Sequence, residues 1–155
     1  MRFTVVAVGK LKERFWTDAC AEYLKRLQPY AKTEVREIAD VDPGRAGGVD
    51  AARDREGAAI VGALSPSSHV VRWLRRKTAF ERGLLAAHRR AQAERRERHR
   101  IVIGGSDGVS AAVRQRADET LSFGPITLPH NLARVVLLEQ LYRAQKISRG
   151  EPYHK

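Results

Sequence analysis

The chain has 155 residues, 43% of them hydrophobic, and carries 29 Lys and Arg against 18 Asp and Glu, for a net charge of +11. This length and apolar content predict one folded domain and exclude global disorder. A single cysteine, Cys20, excludes a disulfide framework and a cysteine-based zinc site. No apolar run approaches the roughly 20 residues that span a membrane, and the first run ends too early for a secretory signal. We therefore expect a soluble, cytoplasmic protein.

Strand-like and helix-like patterns alternate from the first residues to the last. In chain order, the first half predicts a strand at Phe3–Val8, a helix at Glu13–Leu27, a strand at Thr33–Ile38, a loop at Asp40–Gly48, a helix at Val49–Leu64 and a strand at His69–Leu74. The second half predicts a helix at Phe80–Arg95, a strand at Arg100–Ile103, a helix at Ser110–Glu119, a strand or extended loop at Phe123–Leu128 and a helix from Pro129 to about Ile147. This alternation predicts an α/β fold, a single domain over residues 1–155, in which a mostly parallel sheet has helices on both faces.

Most of the excess positive charge lies in one segment. Between Arg72 and Arg100 the chain carries eleven Lys or Arg and three Glu. A localised basic surface favours a polyanion, because neutralising phosphates releases condensed counterions. A solvent-exposed, Arg-rich helix without a ligand has the same composition. The charge therefore leaves two interpretations, a nucleic-acid partner or a solvated helix.

A glycine-rich turn follows the predicted fourth strand directly. Gly104, Gly105 and Gly108 come after Arg100–Ile103, and ligands of open parallel sheets bind beyond the carboxyl ends of the strands. Glycines also let the backbone approach a ligand closely. The spacing Gly-Gly-x-x-Gly is not the dinucleotide fingerprint Gly-x-Gly-x-x-Gly. The turn is therefore either a ligand loop or a plain strand-to-helix connection.

The stretch Phe123–Pro129 is a second candidate binding loop. It contains two prolines and a glycine among apolar side chains, which fix an irregular backbone. Such a backbone offers unpaired amides and carbonyls to a flat heterocycle such as adenine. A rigid connector between two elements has the same composition, so both interpretations stay open.

The predicted last helix is apolar nearly all round. Its hydrophobic residues cover far more than one ~100° stripe, so we expect burial on two sides, against its own sheet and against a second subunit. Arg134, Glu139 and Arg143 stand within it. Glu139 and Arg143 are four residues apart and can form an intrahelical pair. Charges in an apolar helix otherwise indicate a function.

The chain ends in Pro152, Tyr153 and His154, followed by a lysine. Chain ends usually fray. Here the proline stiffens the approach, and adjacent Tyr and His side chains combine base stacking with proton transfer. Tyr153 and His154 are therefore candidate active-site residues.

Several blocks of sequence, taken together, are similar to one known family. They are Val6–Glu13, Glu22–Leu27, Ile103–Gly108, Arg134–Ala144 (RVVLLEQLYRA) and Arg149–Lys155 (RGEPYHK). In this order they resemble the ribosomal RNA large subunit methyltransferase H family, whose members belong to the SPOUT class of knotted methyltransferases. The similarity extends over essentially the whole chain, and the two C-terminal blocks are its most specific part.

The resemblance implies a homodimer in which about residues 100–155 form a deep trefoil knot, a rare exception among chain connections. It implies methylation of N3 of a pseudouridine in 23S rRNA, in the large subunit or the 70S ribosome, with S-adenosylmethionine as methyl donor and no metal. Carried over by motif, the donor site comprises Gly104, Phe123, Gly124, Pro125, Ile126, Thr127 and Leu128. The substrate site comprises Arg134, Glu139, Arg143, Tyr153 and His154, partly from the partner subunit. His154 is the candidate base, and Arg143 would stabilise developing negative charge.

The end of the third predicted strand departs from the family pattern. Relatives place a Leu, an acidic residue and a Gly-Lys pair there, whereas this chain reads VRWLRRK over residues 71–77. The donor-contacting Leu position therefore falls on Arg72 or on Trp73. Three alternatives stay open: a methyltransferase for another RNA such as tRNA, a non-catalytic ribosome-binding factor that has lost donor binding, and a nucleotide-binding α/β protein. The last lacks a phosphate-binding Gly-Lys-Ser/Thr motif.

Overall fold

The computed structural model describes residues 1–74, 98–123 and 126–153. Its strands are β1 (Arg2–Val8), β2 (Lys32–Ile38), β3 (His69–Leu74), β4 (Arg98–Ile103) and β5 (Glu119–Ser122). Its helices are α1 (Arg14–Leu27), α2 (Pro43–Ala46), α3 (Val49–Ala63), α4 (Ala111–Arg116) and α5 (His130–Ser148). The helix predicted at Phe80–Arg95 lies outside the described residues.

The five strands form one sheet in the order β2-β1-β4-β3-β5, and every described pairing is parallel. Side chains alternate between the two faces along each strand. On β1, Phe3, Val5 and Ala7 pack with α1 and α5, whereas Val6 and Val8 pack with α3 and α4. The predicted α/β fold, with a parallel sheet covered on both faces, is confirmed.

The fifth strand lies before the segment predicted as a strand or an extended loop. The strand is Glu119–Ser122, whereas Phe123 and residues 126–128 are irregular, in agreement with the second alternative. The helix before it ends at Arg116 rather than at Glu119. The helix stops because Asp118 turns to β3: its backbone N–H donates to Val70 O at 2.8 Å, and its carboxylate accepts from Val70 N at 2.7 Å. The predicted strand also contains a proline, which has no N–H for a sheet ladder.

Within the described part of the chain, helix α5 is buried on one side. Leu137, Leu138 and Leu141 are almost fully buried in a core that also contains Cys20 and Leu27 of α1, which packs beside α5. On the other side of the helix, Leu132 and Val136 are only partly buried and Ile147 is 39% exposed. Burial of that second side against another subunit stays a prediction. No helix among the described ranges is long and apolar enough to cross a membrane.

Helices α3 and α4 meet at Gly57, and this contact gives a prediction about stability. A Cβ at Gly57 would overlap Ser110 Oγ and lie 2.5 Å from Ser110 Cβ, and Ser110 Oγ accepts from Val113 N at the start of α4. Gly57→Ala is expected to lower the free energy of unfolding by about 1–3 kcal/mol through overpacking.

The matched control for Gly57→Ala is Gly62→Ala on the same helix. Nothing lies within 4 Å of a Cβ at Gly62. There alanine is expected to be neutral or to stabilise by about 0.5–1 kcal/mol, because glycine is a poor helix former. Urea denaturation measures both variants, and equal stability for the two would contradict the close approach of α3 and α4.

Candidate active site

A cavity of about 500 Å³ opens beyond the carboxyl ends of β3, β4 and β5. Its volume lies in the range of about 300–1,000 Å³ that is usual for small-molecule sites. Its lining is mainly apolar and comes from Trp73, Ile103, Gly104, Gly105, Ser106, Gly108, Val109, Phe123, Ile126, Thr127, Leu128, Pro129, His130 and Ala133. The two stretches that the sequence singles out, the glycine turn and the proline-framed loop, thus face one cavity.

Gly104 begins the turn that forms one side of the cavity. A Cβ at this position would lie 2.6 Å from Val109 Cγ1 and 2.7 Å from Gly108 O, closer than side-chain atoms approach. Gly108 has a φ of 88°, a left-handed conformation that favours glycine. Because Gly104 has no room for a side chain and the conformation of Gly108 disfavours one, the backbone itself forms this side of the cavity.

Glu56 of α3 supports the glycine turn from below, and sequence reasoning missed it. It is 7% exposed, it accepts from Val41 N at 3.0 Å, and its Oε2 lies 3.0 Å from where Gly105 would carry a Cβ. Burial raises the pKa of this carboxyl, and the nearby Asp40 raises it further against the opposing hydrogen bond from Val41. Nothing distinguishes Glu56 from the other charged residues of α3 in the sequence, because its role depends on contacts with distant segments.

Two aromatic rings close another side of the cavity. The ring centroids of Trp73 and Phe123 are 3.7 Å apart, and the rings are tilted by 50°. Trp73 lines the cavity, whereas Arg72 does not, since successive residues of a strand point to opposite faces. The donor-contacting Leu position of the family falls on Arg72 or on Trp73, and of these two residues Trp73 is the one that lines the cavity. Ile126, Thr127 and Leu128 also line it, and the predicted donor contacts Gly124 and Pro125 lie outside the described residues.

A second group of predicted site residues meets at the end of the chain. Tyr153 Oη donates to Glu139 Oε1, and Arg143 Cζ lies 5.2 Å from the centre of the Tyr153 ring. Gln140 Nε2 donates to the other Glu139 oxygen at 2.5 Å. We call Glu139, Arg143 and Tyr153 the tail cluster. The predicted base His154 follows it directly and lies outside the described residues.

The tail is fixed to the body of the protein rather than frayed. Glu151 accepts from Tyr30 Oη at 2.6 Å, lies 3.6 Å from Lys146 Nζ, and donates its backbone N–H to Lys146 O at 2.9 Å. The hydrogen bond from Tyr30 and the charge of Lys146 lower the pKa of the Glu151 carboxyl. These contacts hold the chain two residues before Tyr153.

Tyr153 is expected to stay protonated at neutral pH. Burial, together with the hydrogen bond that it donates to Glu139, raises the pKa of its phenol to about 12. Because this pKa is raised on folding, the protonated phenol stabilises the folded state at pH values below the ordinary pKa near 10. This stabilisation is lost as the pH rises towards 12. In an ultraviolet titration, the difference between wild type and Tyr153→Phe is expected to show one phenol ionising well above pH 10. A midpoint at the ordinary value would contradict the contact with Glu139.

Arg134, predicted on the substrate side, is buried within the described chain and joins α5 to the turn after β1. It is 1% exposed, its Nη1 donates to Glu37 Oε1 at 2.7 Å, and its Nη2 donates to Gly9 O at 2.9 Å. Gly9 lies close to His130, which lines the cavity. A Cβ at Gly9 would be 3.5 Å from His130 Nε2. Arg134 therefore positions the turn after β1 beside the cavity.

The cavity and the tail cluster lie apart within one chain. Ala133 is the last residue of α5 that lines the cavity, and Arg143 follows it ten residues later on the same helix. At ~1.5 Å per residue, this separates them by about 15 Å along the helix axis. Within the described ranges, no group of three or more His, Cys, Asp or Glu is arranged to hold a metal ion.

Comparison with known proteins identifies the family. The family model described as "Predicted SPOUT methyltransferase" matches residues 1–154. The chain is 43% identical over 159 residues to ribosomal RNA large subunit methyltransferase H of Carboxydothermus hydrogenoformans, and the match covers 100% of both chains. Among solved structures it is similar to a probable methylase family protein from Haemophilus influenzae Rd KW20, with a TM-score of 0.54 and 13% identity over 99% of this chain and 70% of that one. At this identity the structural similarity shows the fold alone.

The parallel sheet with helices on both faces and a cavity beyond the carboxyl ends of its strands define the class as an α/β fold. Within that class, the chain belongs to the SPOUT methyltransferases and, among them, to the ribosomal RNA large subunit methyltransferase H family. The resemblance found in the sequence is confirmed.

Proposed function

We propose that this protein transfers a methyl group from S-adenosylmethionine to N3 of a pseudouridine in 23S rRNA, on assembled ribosomes in the cytoplasm. The observation that carries the proposal is the match along the full length of both chains to a relative named ribosomal RNA large subunit methyltransferase H. The cavity and the tail cluster support it, because they supply a donor site and a polar acceptor edge.

The residues around the cavity fit S-adenosylmethionine. The backbone at Gly104, where a side chain has no room, allows the close approach that a cofactor needs. Trp73 and Phe123 offer aromatic surface to adenine, and Thr127 and Leu128 belong to an irregular loop at the cavity. When bound, S-adenosylmethionine supplies a methyl group already activated on a sulfonium, so the protein has mainly to orient the donor and the acceptor.

The acceptor is an imide N–H, which must lose its proton as the new bond forms. His154 is the proposed base, since an imidazole titrates near neutral pH. Tyr153 cannot take this role, because its phenol stays protonated. Arg143 would stabilise negative charge developing on the uracil oxygens, and Glu139 holds Tyr153 in place. Full activity of His154→Ala on 70S ribosomes would show that the base is another group.

We also propose that the active protein is a homodimer. The separation of about 15 Å along α5 between the cavity and Arg143 leaves the donor and acceptor sites of one chain apart. In a two-fold dimer, the tail cluster of one chain can lie against the cavity of the other. The symmetry then repeats this contact with the two chains exchanged. The proposed knot, in about residues 100–155, rests on the membership of the SPOUT family.

The test of the proposed function is a mass map of 23S rRNA modifications from cells with and without the gene. The expected result is loss of one N3-methylated pseudouridine on deletion and its return on complementation. A change confined to tRNA would indicate a different RNA substrate. An unchanged map, together with absent S-adenosylmethionine binding in calorimetry, would indicate a non-catalytic factor.

A further inference from the structure

Four cationic side chains lie in the amino-terminal halves of three adjacent strands, at the edge of the sheet opposite the cavity, and a fifth, Arg36, lies further along β2. The parallel register sets Arg2 beside both Lys32 and Arg98, and sets Thr4 beside both Glu34 and Arg100. Paired residues of parallel strands share a face, here the face that carries α3. We call the following set the amino-end cluster: Arg2, Lys32, Arg36, Arg98 and Arg100.

Arg100 lies at the centre of this cluster and is poorly neutralised. Its side chain is 13% exposed and lies 3.7 Å from Glu34, the carboxylate nearest to it. Glu34 also accepts from Thr4 Oγ1 at 2.9 Å. Among the described residues, Arg100 Nε and Nη1 have no hydrogen-bond partner. Burial lowers the pKa of the Arg100 guanidinium, and the positive charges of Arg36, Arg98 and Arg2 lower it further.

Like charges held together on a folded sheet destabilise it unless an anion offsets them. The cluster spans β2, β1 and β4, which at ~4.8 Å between strands is about 10 Å across. That width exceeds one phosphate group and suits a run of phosphates. Arginine also binds phosphate through paired donors. An extended polyanion is therefore a better match than a small anion.

We propose that the amino-end cluster binds the sugar-phosphate backbone of RNA, as a contact separate from the methylation site. The inference rests on the proposed function for the identity of the RNA. Along β4, Arg98 lies about 16 Å and Arg100 about 10 Å before Ile103 at the cavity, at ~3.3 Å per residue. Contacts of this kind hold the enzyme in register on its substrate without reading sequence.

The test is the salt dependence of ribosome binding for a charge-reduced protein. The variant is Arg2→Gln with Arg98→Gln, because both side chains are exposed. The matched control is Arg14→Gln with Arg45→Gln, which removes the same charge from side chains that are 93% and 91% exposed. Each labelled protein is titrated with 70S ribosomes from cells lacking the gene, over a series of KCl concentrations, and with S-adenosylmethionine alone.

The test variant is expected to bind ribosomes about tenfold more weakly than the control variant and to lower the slope of log affinity against log salt by about 1 to 2, one for each phosphate contact. Affinity for S-adenosylmethionine is expected to stay at the wild-type value. Equal ribosome affinity and slope in test and control variants would overturn the proposal.

A second readout separates this proposal from the proposed function. If wild type binds ribosomes with the expected slope but transfers no methyl group, the function fails and the RNA contact stands. If wild type methylates 23S rRNA and the test variant binds and methylates like the control, the function stands and the contact fails. Arg100→Gln, measured in the same way, is expected to weaken binding further.

Discussion

Replacing Arg143 by alanine is expected to lower kcat on 70S ribosomes by roughly 100- to 1,000-fold, the effect of removing one preorganised group that stabilises transition-state charge. Arg143 stands over the Tyr153 ring, with 5.2 Å between the guanidinium carbon and the ring centre. The guanidinium is therefore held beside the edge where an acceptor base would stack. Affinity for S-adenosylmethionine is expected to change little, because Arg143 does not line the cavity. Single-turnover transfer of labelled methyl, with calorimetry for the donor, measures both quantities.

The control for Arg143→Ala is Arg149→Ala. Arg149 also carries its guanidinium over a tyrosine, at 4.6 Å from the centre of the Tyr30 ring. It donates to Pro29 O at 3.1 Å and is exposed. Its removal is expected to leave kcat within a few-fold of wild type. If the two variants lost activity equally, the effect would come from loosening the tail, and a transition-state role for Arg143 would be wrong.

Replacing Arg134 by methionine is expected to lower the free energy of unfolding by about 3 kcal/mol, the lower end of the range for breaking a buried ion pair. The Arg134 side chain is 1% exposed and that of Glu37 is 34% exposed, so the Glu37 carboxylate keeps part of its contact with water. Gly9 O also loses a hydrogen bond at 2.9 Å. Urea denaturation gives the loss of stability. A variant as stable as wild type with a reduced kcat would support the substrate role predicted from the sequence instead.

Glu37, the other member of this ion pair, gives a matching prediction with its own control. Glu37→Gln leaves the buried Arg134 without a counter-charge and is expected to destabilise strongly, by about 2–3 kcal/mol. Glu34→Gln, three residues earlier on β2, removes a carboxylate that is 48% exposed and lies 3.7 Å from Arg100, beyond hydrogen-bond distance, and is expected to change stability less than Glu37→Gln does. Equal effects would contradict the burial of the Arg134–Glu37 pair.

Much of the fold follows from the sequence because the sheet is parallel and buried. Apolar runs such as Phe3–Val8 are visible in the sequence, and the amphipathic pattern of α1 marks the face that packs on the sheet. The position of the fifth strand, by contrast, was not visible in the sequence, for a physical reason. Glu119–Ser122 is short, and its pairing depends on Asp118 meeting Val70, a contact between residues far apart in the chain that no local pattern shows.

The candidate site was only partly predictable. Gly104 and the loop around Thr127 carry composition that marks an irregular backbone, so both were found. No such composition surrounds Glu56. Its relevance to the site comes from its contact with the glycine turn, because its carboxylate lies against Gly105. Arg134 was predicted as a site residue because a charge in an apolar helix indicates a function, and the sequence did not show its hydrogen bond to the distant Glu37.

The most direct test of the proposed function is methyl transfer with purified components. Wild-type protein is incubated with S-adenosylmethionine carrying an isotopically labelled methyl group and with 70S ribosomes from cells lacking the gene, and the rRNA nucleosides are analysed by mass spectrometry. We expect a single labelled N3-methylpseudouridine in 23S rRNA, formed in proportion to the ribosomes, and its loss with Arg143→Ala. Absence of label from 23S rRNA under conditions in which the protein binds ribosomes would contradict the proposed function.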